Sequence, residues 1–416
     1  MSTPVAPLGA IAAPSEIIGS PIKIPRLPVM SWQAFSGKQH AALPCLLDAP
    51  GLQMTTSGRA SILLAMELLG LGAGDKVLLP TYHCPTMIAP VVAVGATPVF
   101  YPIDCHGVPQ LDWLKQQSLD GVKAILAAHY FGVPRPMRAL RDWCDVMGIV
   151  LIEDCAHSLF GTSESRRVGQ WGDIAIGSLT KFLPVPEGGC MMVNAPMVFS
   201  SKLQKPTLME QIRALVDILH VAASFNRLTG LNRVLMGAFS LRQTFKKSTS
   251  GAQTLRDVQE DQPNDGFTID PSLAHRALTW ASSWVTKRAP RARIVRQRRR
   301  HFAELVKSLS GYEGMRPLVT HLPAGAAPYV FPLWVAEPDP GYQKMRLLGM
   351  PVSRWDRLWP GVPQIPDDFG VNWSHNMLQL ACHQDLSDAD IQIIASTVIK
   401  LYAQNARPAN QVSAPG

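Results

Sequence analysis

The chain has 416 residues, 47% of them hydrophobic and 17% charged, with a formal net charge of +8. That length and composition suit two domains sharing a large core and exclude a wholly disordered chain. The positive charge leaves nucleic acid, an acidic membrane surface and anionic small molecules all open as partners, because a protein's field acts on each of them.

The opening MSTPVAPLGAIAAPSEIIGSPIKIPRLP has neither a basic start nor an unbroken apolar run. It does not read as a secretory signal, and residues 1–40 are expected to form a loose N-terminal arm. No segment approaches the roughly 20 uninterrupted apolar residues of a membrane-spanning helix, since MIAPVVAVGATPVF is broken by Pro and Gly. The cysteines Cys45, Cys84, Cys105, Cys144, Cys155, Cys190 and Cys382 form no C-x-x-C pair, which predicts reduced thiols in the cytoplasm and no metal site.

From Gln53 to about Asn194, helical stretches alternate with the short apolar runs KVLLP, TPVFY, KAILAAHY, GIVLIED, DIAIGS and GCMMVN. The pattern is α/β, and the continuous apolar character of GIVLI and KAILAA predicts strands covered on both faces in a mainly parallel α/β/α sheet. Ligands then belong at the carboxyl ends of the strands. Residues 196–265 read as a helical insertion, EQIRALVDILHVAASFNRLTGLNRVLMGAFSLRQTF, interrupted at Gly230 and followed by a loop through KKSTSGAQ. It could pack within the molecule, cover the site, bury itself in a partner subunit or lie on a membrane surface.

From about Pro271 one helix is expected through AHRALTWASSWVTKRA, kinked at Pro290 and continuing to about Leu309. APYVFPLWV reads as a strand, YQKMRLLG as a short helix, and DLSDADIQIIASTVIKLYAQ as a terminal helix capped by Ser387 or Asp388. The expected division is a large α/β domain over 41–265 and a smaller C-terminal α+β domain over 266–416. In KRAPRARIVRQRRRH, the residues Arg293, Arg296 and Arg300 share a helix face, the pattern of a solvated or subunit-facing helix. No groove-reading motif accompanies the charge, so nucleic acid is not the expected partner.

Three motifs carry chemistry. In SLTKFLPVPEGG, Lys181 precedes a Pro-rich turn and a Gly pair. Alone it would be an ordinary surface lysine. Asp154 ends the apolar run GIVLIED and so would project from a strand's carboxyl end, although a helix N-cap explains it equally well in isolation. His157 follows three residues later, placed either to pack over a ring or hydrogen-bond it, or to be a satisfied core histidine. In TTSGRASILLAMELL, the amides of Gly58, Arg59 and Ala60 would open an amphipathic helix, and helix N-termini bind phosphate. Ser178, ending DIAIGS, could add a hydroxyl. An amine, a carboxylate and a phosphate cradle are what a pyridoxal 5'-phosphate site requires of a protein.

In this order the motifs resemble the DegT/DnrJ/EryC1/StrS family of fold-type-I aminotransferases that use pyridoxal phosphate. SGRAS is similar to the family's Ser-Gly-Thr-Ala turn, GDKVLLPTYHC to its G-D-E-V-I-x-P strand, and GATPVFYPID and HYFGVPRPM to its next two segments. VLIEDCAHSLFG and VGQWGDIAIGSLTKFLPVPEGGCMMVN resemble the segments that carry the ring-nitrogen carboxylate, the ring-contacting residue, the phosphate serine and the Schiff-base lysine. The resemblance implies Asp154, His157, Ser178 and Lys181 in those roles, with Lys181 also the catalytic base. It implies an aromatic residue on the cofactor near TYHC, leaving Tyr82, His83 or Cys84.

The Ser-to-Lys spacing is shorter than is usual in the family, and its G-x-N-x-R motif appears here as GFTIDPS. The resemblance implies a fold-type-I transferase, a homodimer, glutamate as amino donor and a nucleotide-linked keto sugar as acceptor, with Arg296 or Arg300 available for its phosphates. Rival expectations are a pyridoxal phosphate enzyme of elimination or condensation, and a non-catalytic regulator that keeps the fold.

Overall fold

The computed structural model of the chain describes residues 22–34, 43–194, 202–246 and 266–403. Its larger sheet contains β1 (Gln53–Thr55), β2 (Lys76–Pro80), β3 (Thr97–Tyr101), β4 (Val122–Ala128) and β5 (Val150–Asp154). After the hairpin of β6 (Thr162–Ser163) and β7 (Arg166–Arg167) it is completed by β8 (Ile174–Ser178) and β9 (Gly189–Val193). The order is β1-β9-β8-β5-β4-β2-β3. From β8 to β3 all pairings are parallel, and β9 and β1 are added antiparallel.

The sheet explains the unbroken apolar runs. Successive side chains of a strand point to opposite faces. Leu78, Ile125 and Leu151 enter a cluster with α3 (Leu111–Leu114) and α4 (Arg138–Met147). Their neighbours Val77, Ala124 and Ile152 enter another with α1 (Gly58–Leu68) and α2 (Pro85–Ala93). Both faces are buried, so both sets are apolar.

The insertion forms α5 (Leu208–Ser224) and α6 (Asn232–Lys246), with Gly230 in the turn at φ 87°. Thr207 opens α5 with a capping box, its hydroxyl accepting from the Glu210 amide while the Glu210 carboxylate accepts from the Thr207 amide. Ala214, Ile218 and Ala222 face inward, and Leu208, Met209, Ile212 and Leu215 are exposed. The loop expected beyond Lys246 lies outside the described residues.

The long helix expected from Pro271 is three helices, α7 (Pro271–Ala274), α8 (Trp280–Arg288) and α9 (Arg291–Leu309). Ala289 is extended (φ −56°, ψ 127°), since the residue before a proline is pushed from the helical region, and Pro290 therefore separates two helices where a kink was expected. The N-terminal arm also differs from expectation where it is described. Ile24, Val29 and Met30 are buried, and the amide of Val29 donates to Asp385 Oδ2. The rest of the expected arm, at 1–21 and 35–40, lies outside the described residues.

The second sheet is antiparallel, in the order β10 (Met315–Pro317), β11 (Val330–Val335), β13 (Met377–Ala381), β12 (Val352–Ser353). Phe302 and Leu305 of α9, Phe331 and Leu378 of the sheet, Met345 of α10 (Gly341–Leu347) and Ile391 of α12 (Asp388–Tyr402) form its core. Trp373 of α11 (Phe369–Asn376) packs instead into the cluster beneath the larger sheet. Ser387 caps α12, with Asp390 completing the capping box. The amide of Tyr329, just before β11, donates to the Phe131 carbonyl (2.8 Å), joining this unit to the carboxyl edge of the larger sheet.

Candidate active site

Three side chains converge where β5 and β8 end. Asp154, the last residue of β5, is buried, and its Oδ1 accepts from the Ala156 amide (2.8 Å). Burial raises its pKa above the usual carboxylate range, and the Ala156 amide, Lys181 and His129 only partly offset that. A cation set against this carboxylate would offset the cost of burying it.

His157 accepts at Nδ1 from the Phe131 amide (3.3 Å). Burial first, then the charge of Lys181, pushes its pKa well below the ordinary value, so the ring is neutral. A neutral imidazole that accepts at Nδ1 carries its proton on Nε2. That Nε2 is buried and has no partner among the described residues. The ring centre lies 4.5 Å from that of Tyr329 and 4.9 Å from that of Trp355. Lys181 comes from the turn after β8, with Nζ 5.2 Å from the centre of the same Tyr329 ring.

The start of α1 lies against the end of β8. Ser57 is the N-cap, its Oγ accepting from the Ala60 amide (3.1 Å). A Cβ on Gly58 would stand 3.6 Å from Ser178 Cβ, so the turn that opens the helix touches the serine. Gly189 permits this approach, because in register it faces both Thr55 and Ser178, and a Cβ there would meet the Ser57 carbonyl at 2.2 Å. Gly188 at φ 143° adds the strand's entry. Ser178 Oγ is 3.4 Å from Thr180 Oγ1, and Arg59 Nη1 donates to the Thr268 carbonyl (2.7 Å). The fold thus brings Gly58, Arg59, Ala60 and Ser178 to one corner.

The three candidates for ring stacking fare differently. His83 is fully buried, with Nδ1 bonded to the Pro80 carbonyl (2.9 Å) and Nε2 accepting from the Trp359 amide (2.9 Å). Burial lowers its pKa to about 4. Cys84 is the half-buried N-cap of α2 and accepts from Thr86 Oγ1. Tyr82 is fully buried, its hydroxyl accepting from Gln379 Nε2 (3.1 Å) and its ring centre 5.0 Å from that of Trp355. Tyr329 and Trp355, which sequence reading missed, therefore stand closest to His157 among these rings. No local signal marks them, since they come from the distant second unit.

A second buried network lies behind the strand ends. Glu153 accepts from His129 Nε2 (2.8 Å) and from the amides of Gly169 (2.6 Å), Trp171 (2.8 Å) and Gly172 (3.0 Å). Burial raises its pKa, but His129 and the amides of Gly169 and Gly172 lower it more, leaving it below the usual value. His129, Glu153 and Cys155 offer ligand atoms within 4.8 Å of one another, yet the carboxylate oxygens are already taken by N–H donors. The trio is a structural brace for the loop leading into β8.

On the arginine-rich helix, Arg296 and Arg300 of the expected face are exposed, Arg300 pairing with exposed Asp388 (2.7 Å), whereas Arg293 turns to buried Asp385 (2.8 Å) and Arg298, off that face, is fully buried.

The residues fit pyridoxal phosphate. The orphaned Nε2–H of His157 calls for an acceptor, the Asp154 carboxylate for a cation, and the turn at Gly58 with Ser178 for an anion.

Residues 50–203 match the model of the DegT/DnrJ/EryC1/StrS aminotransferase family. The chain is 31% identical over 152 residues to GDP-perosamine synthase of Vibrio cholerae, covering 36% of this chain and 41% of that protein. It is 33% identical over 281 residues to dTDP-3-amino-3,4,6-trideoxy-alpha-D-glucose transaminase of Streptomyces venezuelae, covering 67% of this chain and 59% of that protein. The matches thus span less than two thirds of these relatives' own lengths. Among solved structures, the apo-form of a putative sugar aminotransferase from Streptococcus pneumoniae superposes with a TM-score of 0.58 at 16% identity, over 91% of this chain and 97% of that one. No helix among the described residues is long and apolar enough to cross a membrane.

Proposed function

Because residues 50–203 belong to the DegT/DnrJ/EryC1/StrS aminotransferase family, we propose that this fold-type-I chain is a pyridoxal-phosphate-dependent aminotransferase. It moves an amino group from an amino-acid donor, glutamate, to a nucleotide-linked keto sugar. The observation that supports this most is the convergence of Asp154, His157 and Lys181 at the ends of β5 and β8, beside the small-residue start of α1.

When bound, pyridoxal phosphate supplies an aldehyde carbon for the amino group and a cationic ring that accommodates the electron pair left by a departing proton. Asp154 would keep the ring nitrogen protonated, and that charge would offset the cost of the buried carboxylate. His157 would offer its unpaired Nε2–H to an oxygen on the ring. The amides of Gly58 and Arg59, at the positive end of α1, would hold the phosphate together with the Ser178 hydroxyl, the expected Ala60 amide being taken by Ser57 Oγ. Lys181 would hold the cofactor through Nζ, and that amine is the group placed to take up and return a proton beside it. Tyr82, paired with Trp355, is the ring contact we favour, since the face of His83 is already stacked on Phe100 (5.2 Å between centres). Exposed Arg296 is available to the acceptor's phosphates.

We read residues 41–265 as the cofactor-binding unit and 266–416 as the smaller unit, supported by a separate sheet in each. A homodimer in the cytoplasm completes the proposal, supported by the exposed apolar residues of α5 and by the absence of any disulfide among the seven cysteines.

The test is an absorbance spectrum with added pyridoxal phosphate, repeated after glutamate and with Lys181→Ala. A visible band that glutamate bleaches and the variant cannot form is the expected result. No band from folded protein refutes the proposal, and a band indifferent to glutamate refutes the donor. Thermal protection by nucleoside diphosphates checks the acceptor class.

A further inference from the structure

Arg298 is the most deeply engaged arginine of α9. Its side chain is fully buried, and its donors end on four uncharged oxygens from three parts of the chain. Nη2 donates to the carbonyl of Lys181 (2.7 Å). Nη1 donates to the carbonyls of Pro328 (2.8 Å) and Tyr329 (3.1 Å), and Nε to Gln384 Oε1 (2.7 Å). The guanidinium lies 4.6 Å from the ring centre of Phe182, the residue after Lys181, and Gln384 Nε2 donates to the Phe182 carbonyl (2.9 Å). Both the backbone of Lys181 and the backbone of Tyr329, whose ring faces Lys181 Nζ, hang on this one planar fork.

We propose that Arg298 is the positioning residue of the cofactor lysine, fixing the Lys181 main chain and the Tyr329 ring relative to each other. Granted the role assigned to Lys181 above, Arg298 acts mechanically. Lys181 stands in a turn only three residues beyond Ser178, and its long side chain has many rotamers. A carbonyl held from behind and an aromatic face held in front confine Nζ to one arc. Burying a guanidinium is costly, and burial lowers its pKa to about 10 although it stays charged at neutral pH. Methionine would fill much of the same volume without that cost. What the arginine adds is a rigid set of donors that bind three carbonyls at fixed angles, which neither a lysine nor an apolar side chain reproduces. Misplacing a reacting group by about 1 Å can cost as much as a hundredfold in rate.

The test compares full-length wild type, Arg298→Met, Arg298→Lys and Arg299→Met. Arg299 is the control: it neighbours Arg298 on α9 and is also multidentate, donating to the carbonyls of Leu322 (3.3 Å), Pro323 (2.6 Å) and Ala326 (3.0 Å). Two rates are read by peptide mass spectrometry: capture of pyridoxal phosphate on Lys181, fixed by borohydride, and acetic anhydride labelling of Lys181 in cofactor-free protein, normalised to Lys115. Arg298→Met is expected to change both by about tenfold or more, Arg298→Lys by less, and Arg299→Met by no more than about twofold. If Arg298→Met changes neither rate more than Arg299→Met does, the inference is overturned. If Arg298→Met does not fold, Arg298→Lys decides by the same comparison. Should wild type capture no pyridoxal phosphate, the cofactor reading fails while the labelling rates still judge Arg298.

Discussion

Replacing Gly189 by alanine should disable the cofactor corner with a single methyl group. Gly189 sits where β9 passes between Thr55 of β1 and Ser178 of β8. A Cβ there would stand 2.2 Å from both the carbonyl carbon and oxygen of Ser57, and 2.6 Å from Thr55 Oγ1. Atoms at that distance must separate by more than about 1 Å to regain ordinary van der Waals contact. The nearest are backbone, so no rotamer change relieves them. Either β9 leaves β1 or the start of α1 moves off Ser178. Overpacking of this kind costs about 1–3 kcal/mol, and a shift of about 1 Å in the phosphate-binding turn should weaken cofactor affinity by one to two orders of magnitude. Titration of the visible band with pyridoxal phosphate reads the affinity, and urea unfolding of cofactor-free protein reads the stability. Unchanged affinity in Gly189→Ala would refute the close approach as the reason for glycine.

Glu153→Gln should keep the shape of the brace behind the strands and break its bonding. One oxygen becomes an NH2 that faces two N–H donors, and each buried donor left unsatisfied costs about 1–3 kcal/mol, so urea unfolding should show a loss of about 2–6 kcal/mol. A loss under about 1 kcal/mol would contradict the assigned bonds. Stability should also fall with acid. Burial lowers the pKa of His83 to about 4 and of His383 to about 3. Below the ordinary value of about 6.5 the unfolded chain binds protons the folded chain does not, so each histidine contributes a slope of up to about 1.4 kcal/mol per pH unit. Unfolding at pH 7.5 and pH 5 should differ by about 2–4 kcal/mol from this source, and a flat profile would count against both histidines being buried and neutral.

Legibility followed the range over which each signal acts. The six apolar runs from KVLLP to GCMMVN all form strands of the larger sheet, because burial of both strand faces forces an unbroken apolar sequence. The capping chemistry at Ser387 and the break at Gly230 were readable for the same reason, as contacts within a turn. The continuous helix from Pro271 failed twice, first at 275–279, where Ala277 leaves the helix to bridge Thr55 and donate to the Gln204 carbonyl, and again at Ala289, which Pro290 pushes out of the helical region. The solvated face holds at Arg296 and Arg300, but charge pattern does not reveal which guanidinium finds carbonyls at distance. Arg298 is buried and Arg296 is exposed, yet they lie two residues apart.

The sequence by itself determined the sheet, the strand that ends in Asp154, and the small-residue turns at Gly58 and at Gly188 and Gly189. Each of these depends on burial periodicity or on backbone freedom within a few residues. Only the tertiary structure decided what surrounds them. Tyr329, Trp355 and Arg298 reach the site from the second unit, and His157 gains its unpaired Nε2–H from the amide of Phe131 at its other nitrogen. Such contacts join residues far apart in the chain, where no period of two or 3.6 links one partner to the other.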